Sequence, residues 1–197
     1  MKPFEGYKAE KAQAGTDALP AGAYIAQIKA AEVCEYSWGD VLLISFDIAE
    51  GEFKGHFAKR WKNDAGSSYG QRWKGTFRLN IPSAKSKYPD SDKRAFGNAM
   101  WAIEQSNRGY SWDWKEELLK GKRVGVLFRN REWEMNGQTG WTTECCTLLS
   151  VQDVRDGNFS MPKDKPLKAK EQAQQTQAPA KAIQDFDDII SDGELPF

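Results

Sequence analysis

In the stretch DVLLISFDIAEGEF, Leu42, Ile44, Phe46 and Ile48 take every second position. A period of two puts them on one face of a strand, and so apolar a face must be covered by the rest of the chain. The preceding AYIAQIKAAEV alternates too, with Tyr24, Ala26, Ile28 and Ala30 on one side, and Ser37-Trp38-Gly39-Asp40 joins the two strands as a hairpin. HFAKRW reads as a third strand after residues 51–55. In RWKGTFRLNIP, Trp73, Phe77 and Leu79 share one parity and Arg72, Lys74 and Arg78 the other; Pro82 ends it, and SAKSKYPD follows as a basic loop.

A helical period enters only after that loop. Phe96, Ala99, Met100 and Ile103 in SDKRAFGNAMWAIEQSN form one apolar stripe, with Ser91 or Asp92 placed to cap its start. WDWKEELLKGK predicts a second short helix, with Asp113 and Glu116 at capping-box spacing and Gly121 as the stop. Val124, Val126 and Phe128 then share a strand face, Asn136-Gly137 begins a turn, and GWTTECCTLLSV returns as the partner strand. Three strands, an intervening helical segment and a two-stranded hairpin give a mainly β chain. That order is expected of a five-stranded OB-type Greek-key barrel, although other small barrels share the strand count. The expected division is a flexible arm over 1–18, a domain over 19–156, a disordered linker over 157–184 and an acidic tip over 185–197. The linker is rich in Lys, Gln, Ala and Pro, with almost no large apolar groups, so it cannot form a core.

The net charge of zero conceals an asymmetry. Residues 54–94 contain eleven basic side chains against three acidic ones, whereas Asp185, Asp187, Asp188, Asp192 and Glu194 crowd the end of the chain. A basic middle and an acidic tail point to a polyanion partner and to something that competes with it. No apolar run approaches the roughly 18 residues that span a bilayer, and MKPFEGYKAEKAQAG has no apolar stretch of an export signal, so no membrane partner and a cytoplasmic location are expected. Cys34, Cys145 and Cys146 lack the C-x-x-C spacing of a metal knuckle, with the adjacent pair pointing to opposite strand faces. They read as buried reduced thiols.

Catalysis finds little support. The sequence has no phosphate-binding loop, zinc-protease or nucleophile-elbow motif, and its single histidine, His56, reads as an ordinary strand residue. No cofactor and no metal are expected. Binding is better supported, because FAKRWKNDAGSSYGQRWKGTFRLN interleaves cations with aromatics. Single-stranded nucleic acid needs both: cations for phosphates, and rings on which bases stack for about 1–3 kcal/mol each. The phosphate candidates are Lys59, Arg60, Lys62, Arg72, Lys74, Arg78, Lys85, Lys87, Arg129 and Arg131. Eight tryptophans cannot all be ligands. Trp73 is assigned to the core by its parity, and Trp101 and Trp112 to helical segments packed against the barrel. Trp61 and Trp133, which lie among cations, are the stacking candidates. Tyr69 joins them from a Gly/Ser loop, where a ring either closes over a bound strand or simply stays exposed.

The last residues, DGELPF, end an acidic run with an apolar tip. A terminal ring and carboxylate after proline, flanked by acids, make a compact anchor for a pocket beside a basic clamp. This tip resembles that of bacterial single-stranded DNA-binding proteins, which end in an Asp-rich run and Ile-Pro-Phe, and the Gln/Pro-containing linker is similar to theirs. GYSWDWKEELLKGKRVGVLF and SFDIAEGEFKG, within residues 20–155, resemble the related proteins carried by phages and integrating elements. The resemblance implies an OB-type barrel that coats single-stranded DNA, with little sequence preference, during replication, recombination or repair in a bacterial host cell. It also implies a tip, Asp187, Asp188, Asp192, Glu194, Leu195, Pro196 and Phe197, that docks replication and repair enzymes. Leu195 replaces the usual Ile and Gly193-Glu194 interrupts the Asp run; an aliphatic swap of that kind costs little. A homo-oligomer is compatible with the chain, but the tetramer common among cellular members does not carry over to a different domain. The alternative is an adaptor whose basic face binds one protein while the tip recruits another.

Overall fold

In the computed structural model, Leu42, Ile44, Phe46 and Ile48 are all at or below 2 % exposure. They lie on β2 (Gly39–Ile48), which is flanked by β1 (Gly22–Tyr36) and β3 (Thr76–Asn80). Beyond β1 come β4 (Arg123–Met135) and β5 (Gln138–Leu149), giving one five-stranded sheet in the order β3-β2-β1-β4-β5 with every neighbour antiparallel. The chain is mainly β. Among the described residues three α-helices accompany the sheet: α1 (His56–Asn63), α2 (Pro89–Ser106) and α3 (Val151–Asp156). The structure describes residues 18–65, 71–84 and 86–167, all within the first of two units, 1–167 and 168–197.

β1 holds the sheet together by serving two partners. Residues 22–27 pair with β4 and residues 26–36 with β2, with a shift of register between Ile28 and Ala30. A bulge adds one residue and so exchanges the two faces of everything beyond it. Ala30 is therefore exposed and Ala31 packs against the core, correcting the uninterrupted alternation expected through Ala30. A second shift lies between Leu127 and Phe128; it pairs Phe128 with Cys145 and leaves Cys146 unmatched. Cys145 consequently packs on the core, and Cys146 bonds through its thiol to the Leu127 carbonyl at 3.2 Å.

HFAKRW, expected as a strand, is the helix α1. Asp47, buried at the end of β2, accepts the backbone N–H of Phe57 at 2.9 Å and of Ala58 at 3.3 Å, satisfying donors that a helix start leaves orphaned. Only Phe57 of this helix is buried; it meets Phe46 edge-on and stacks with Phe128. The third strand is the short Thr76–Asn80, where Phe77 and Leu79 turn inward as their parity predicts.

The stripe Phe96, Ala99, Met100 and Ile103 is buried on α2. The helix begins one turn earlier than expected, with Pro89 in its first turn, where a missing N–H costs nothing. Neither expected cap serves: Asp92 instead accepts from the Asn80 amide at 3.0 Å. The second helix shrinks to a single 3-10 turn, Glu116–Leu119, because Asp113 pairs with Lys115 rather than capping and Trp114 adopts φ 56 just ahead of it. Asn136 (φ 52) and Gly137 (φ 76) both take the left-handed conformation of a tight hairpin turn.

The strand expected to run into Val151 ends at Leu149, and Ser150 caps α3 by accepting from Asp153 N at 3.0 Å. The chain then returns along β4, where pairing with β1 has stopped at Phe128. Lys165 N donates to Asn130 O and Lys165 O accepts from Glu132 N, both at 2.9 Å. Lys165, assigned by composition to a linker, is thus paired with β4 through its backbone. Residues 1–17 of the arm expected over 1–18, and residues 168–197 with the rest of the expected linker and the acidic tip, lie outside the described residues. Among the described residues no helix is long and apolar enough to cross a membrane.

Candidate nucleic-acid interface

β3 and β5 are the two edges of the sheet, and no ladder joins them among the described residues. Between them opens a cleft of about 500 Å³, reached by Arg60 from α1, Lys74 and Arg78 from β3 and its approach, and Arg129 and Arg131 from β4. Arg60, Arg78 and Arg129 each adjoin a core residue of their own element. Arg60 stands one helical turn after the buried Phe57, and Arg78 alternates with the buried Phe77 and Leu79. Arg129 follows Phe128, the last core residue of β4 before the strand runs outward.

Lys74 is placed by its neighbours. Gly75 passes so close to Phe46 that a Cβ there would come within 2.3 Å of the Phe46 carbonyl oxygen. The Trp73 indole N–H is 3.1 Å from the carbonyl oxygens of Phe46 and Gly75, and its ring packs on the core, as its parity predicts.

One carboxylate faces the five cations. Glu144 lies opposite Arg129 on β5 and accepts from Arg129 Nε at 3.0 Å and Nη2 at 2.8 Å. Arg131 approaches it at 3.5 Å and Lys165 at 3.2 Å. Burial works against ionising Glu144, but the bonds from Arg129 and Lys165 outweigh it and hold the carboxyl below its ordinary range. Neither Glu144 nor Lys165 was indicated by composition, because Lys165 sits in the stretch expected as a linker and Glu144 is matched to Arg129 only by the strand register.

The remaining candidates disperse. Lys59, Trp61 and Lys62 lie on exposed faces of α1, and Arg72 is exposed ahead of Lys74 without lining the cleft. Lys87 stands at the far end of β3, its ammonium 5.4 Å from the centre of the Tyr88 ring. Trp133 shares the strand face of Arg129 and Arg131, half-buried with its ring over Gly140, where a Cβ would meet it at 2.8 Å. Tyr69, Lys85 and the tip residues are outside the described residues.

Trp112 packs on the core and against Phe96, but from a loop rather than a helix. Trp101, expected to pack, is 53 % exposed, because the apolar stripe of α2 faces away from it. Trp38, Tyr88, Trp114 and Trp141 are exposed as well. For Trp38 the signal was present in the sequence, since a ring in a tight hairpin turn cannot reach a core. His56 begins α1 and packs edge-on to Phe57. All three cysteines are free thiols but half-buried rather than buried as expected, and burial still pushes the Cys145 thiol far above its ordinary range. No family model matches the chain, and no curated protein matches it.

Proposed function

We propose that the protein is a non-catalytic single-stranded DNA-binding protein and that the cleft between β3 and β5 takes the phosphates. The observation that carries this reading is the convergence of Arg60, Lys74, Arg78, Arg129 and Arg131, drawn from three separate elements, on one open cleft. Five cations around a single carboxylate suit a polyanion, and the open edges of the sheet suit a strand without a complement. The half-buried Trp133, beside Arg131, offers a ring to the bases.

The strand order, with β1 serving both β2 and β4 and the two edges facing across a cleft, supports a partly open OB-type barrel. For residues 185–197 the reading rests on sequence alone: the tip docks replication, recombination or repair enzymes in the cytoplasm of a bacterial host.

The test is tryptophan fluorescence during titration with a dT oligonucleotide, repeated across a salt series. Saturating quenching is expected, with log affinity falling against log salt at a slope of about −3.5 if all five cations meet phosphates. Absence of quenching together with salt-insensitive binding sinks the reading and favours an adaptor whose basic face serves a protein.

A further inference from the structure

Past the end of β3 lies a second open groove of about 300 Å³, between the β1–β2 turn and the loop that leads into α2. Two rings front it: Trp38, 55 % exposed, and Tyr88, 63 % exposed. Neither is there for the core. Trp38 lies flat on Tyr36, with centroids 5.1 Å apart and planes 12° apart, so its orientation is fixed although it faces water. Lys87 holds a cation beside Tyr88. Asp40, Asn80 and Asp92 line the polar side of the groove, with Asp92 held by the Asn80 amide at 3.0 Å. Among the described residues the Asp40 carboxylate makes no hydrogen bond or ion pair.

We propose that this groove is a nucleobase subsite that prefers bases bearing an exocyclic amino group. The base stacks on Trp38 or Tyr88, its amino edge donates to the Asp92 or Asp40 carboxylate, and Lys87 meets the adjoining phosphate. Carboxylates accept from the amino group of cytosine, as they do in duplex readout, whereas thymine places the O4 carbonyl, an acceptor, where cytosine has that amino group and keeps only its N3–H as a donor. The proposal rests on the reading of the cleft as a single-strand interface and extends it along β3. From Lys74 to Asn80 the chain covers about 20 Å at ~3.3 Å per residue, with the exposed Arg78 on the way. A strand crossing this edge therefore reaches cleft and groove in succession.

The experiment compares dC and dT oligonucleotides of equal length with the full chain and with the variants Trp38→Ala, Tyr88→Ala and Asp92→Asn. All three substituted side chains lie outside the buried core, and urea unfolding of each variant checks that it is folded. The wild type is expected to bind dC several-fold more tightly than dT. Loss of the ring that carries the base, Trp38 or Tyr88, weakens both oligonucleotides by about tenfold and narrows the difference; Asp92→Asn narrows the difference while leaving dT affinity in place. Equal affinity for dC and dT, or a dC preference that survives both ring substitutions, overturns the subsite and leaves the phosphate cleft standing. Failure of every oligonucleotide to bind in low salt overturns both.

Discussion

Arg129 and Glu144 face each other across the β4–β5 pair, with two guanidinium nitrogens within 3.0 Å of one carboxylate oxygen. The pair sits in the cleft, where Arg131 and Lys165 also reach Glu144, so in the proposed interface Glu144 competes with phosphate for these cations. Glu144→Gln removes the competing charge but keeps an acceptor, so affinity for a dT oligonucleotide should rise about three- to tenfold at low salt and less at high salt. The same change should lower stability by about 1 kcal/mol, since the pair is only half-buried. Oligonucleotide titration and urea unfolding read the two effects separately; unchanged affinity means that Glu144 does not compete.

The pH dependence of that ion pair has a definite sign. The folded state holds the Glu144 carboxyl below its ordinary value of 4.5. The stabilisation is therefore complete above that value and disappears as pH falls through the folded one. Urea unfolding from pH 7 to pH 3 should show wild type losing stability relative to Glu144→Gln only at the acid end. A difference that instead opens between pH 6 and 7 contradicts the assignment.

Salt dependence separates cations that meet phosphate from those that merely flank it. Lys74→Ala and Arg78→Ala should each weaken binding and reduce the salt slope by about 0.7, one phosphate contact on a single strand. Lys62→Ala, on the exposed face of α1 away from the cleft, should leave the slope unchanged. Equal losses at all three positions point to diffuse attraction without a cleft.

Local alternation and the helical stripe were legible in the sequence because each is a property of neighbours: Leu42 to Ile48 on β2, Phe77 and Leu79 on β3, Phe96 to Ile103 on α2. α1 was not legible. Eight residues with one buried side chain carry no period, and the deciding group, the Asp47 carboxylate, lies ten positions before Phe57. The exchange of Ala30 for Ala31 was hidden for a related reason: a bulge is set by the partner strand and leaves no mark on the alternation. The cations of the site were visible one by one, but their grouping was not. Arg60 lines one cleft with Arg129 and Arg131 only because the β3 and β5 edges of one sheet border it, and Lys59 and Lys62 are excluded only because their stretch coils into a helix.

Thiol chemistry reports on the bulge in β5. Burial pushes up the Cys145 and Cys146 thiols, and the thiolate is the reactive form. At pH 8 iodoacetamide should leave Cys145 unmodified in the native protein and modify it readily in urea, as followed by peptide mass spectrometry. Cys145 Sγ packs inward with the Thr147 carbonyl at 3.8 Å as its polar neighbour. Rapid native labelling at Cys145 means that the pairing of Phe128 with Cys145 is wrong.

Gly75 links the core to the site. A methyl group there would lie 2.3 Å from the Phe46 carbonyl oxygen and 2.6 Å from the Phe57 ring, so the backbone of β2 and the anchor of α1 must both give way. Overpacking of this kind costs about 1–3 kcal/mol, and here the first obstacle is backbone rather than a flexible side-chain end. Gly75→Ala should therefore lower the urea midpoint by an amount in that range. It should also weaken oligonucleotide binding, because Lys74 precedes the residue that moves and Arg60 rides on the helix whose anchor is displaced. The control is Gly97→Ala on the exposed face of α2, where a Cβ meets nothing within 4 Å and helix propensity favours alanine. That variant should be slightly more stable than wild type and bind DNA equally well. If Gly75→Ala matches it on both counts, the close approach of Gly75 to Phe46 is not what positions Lys74.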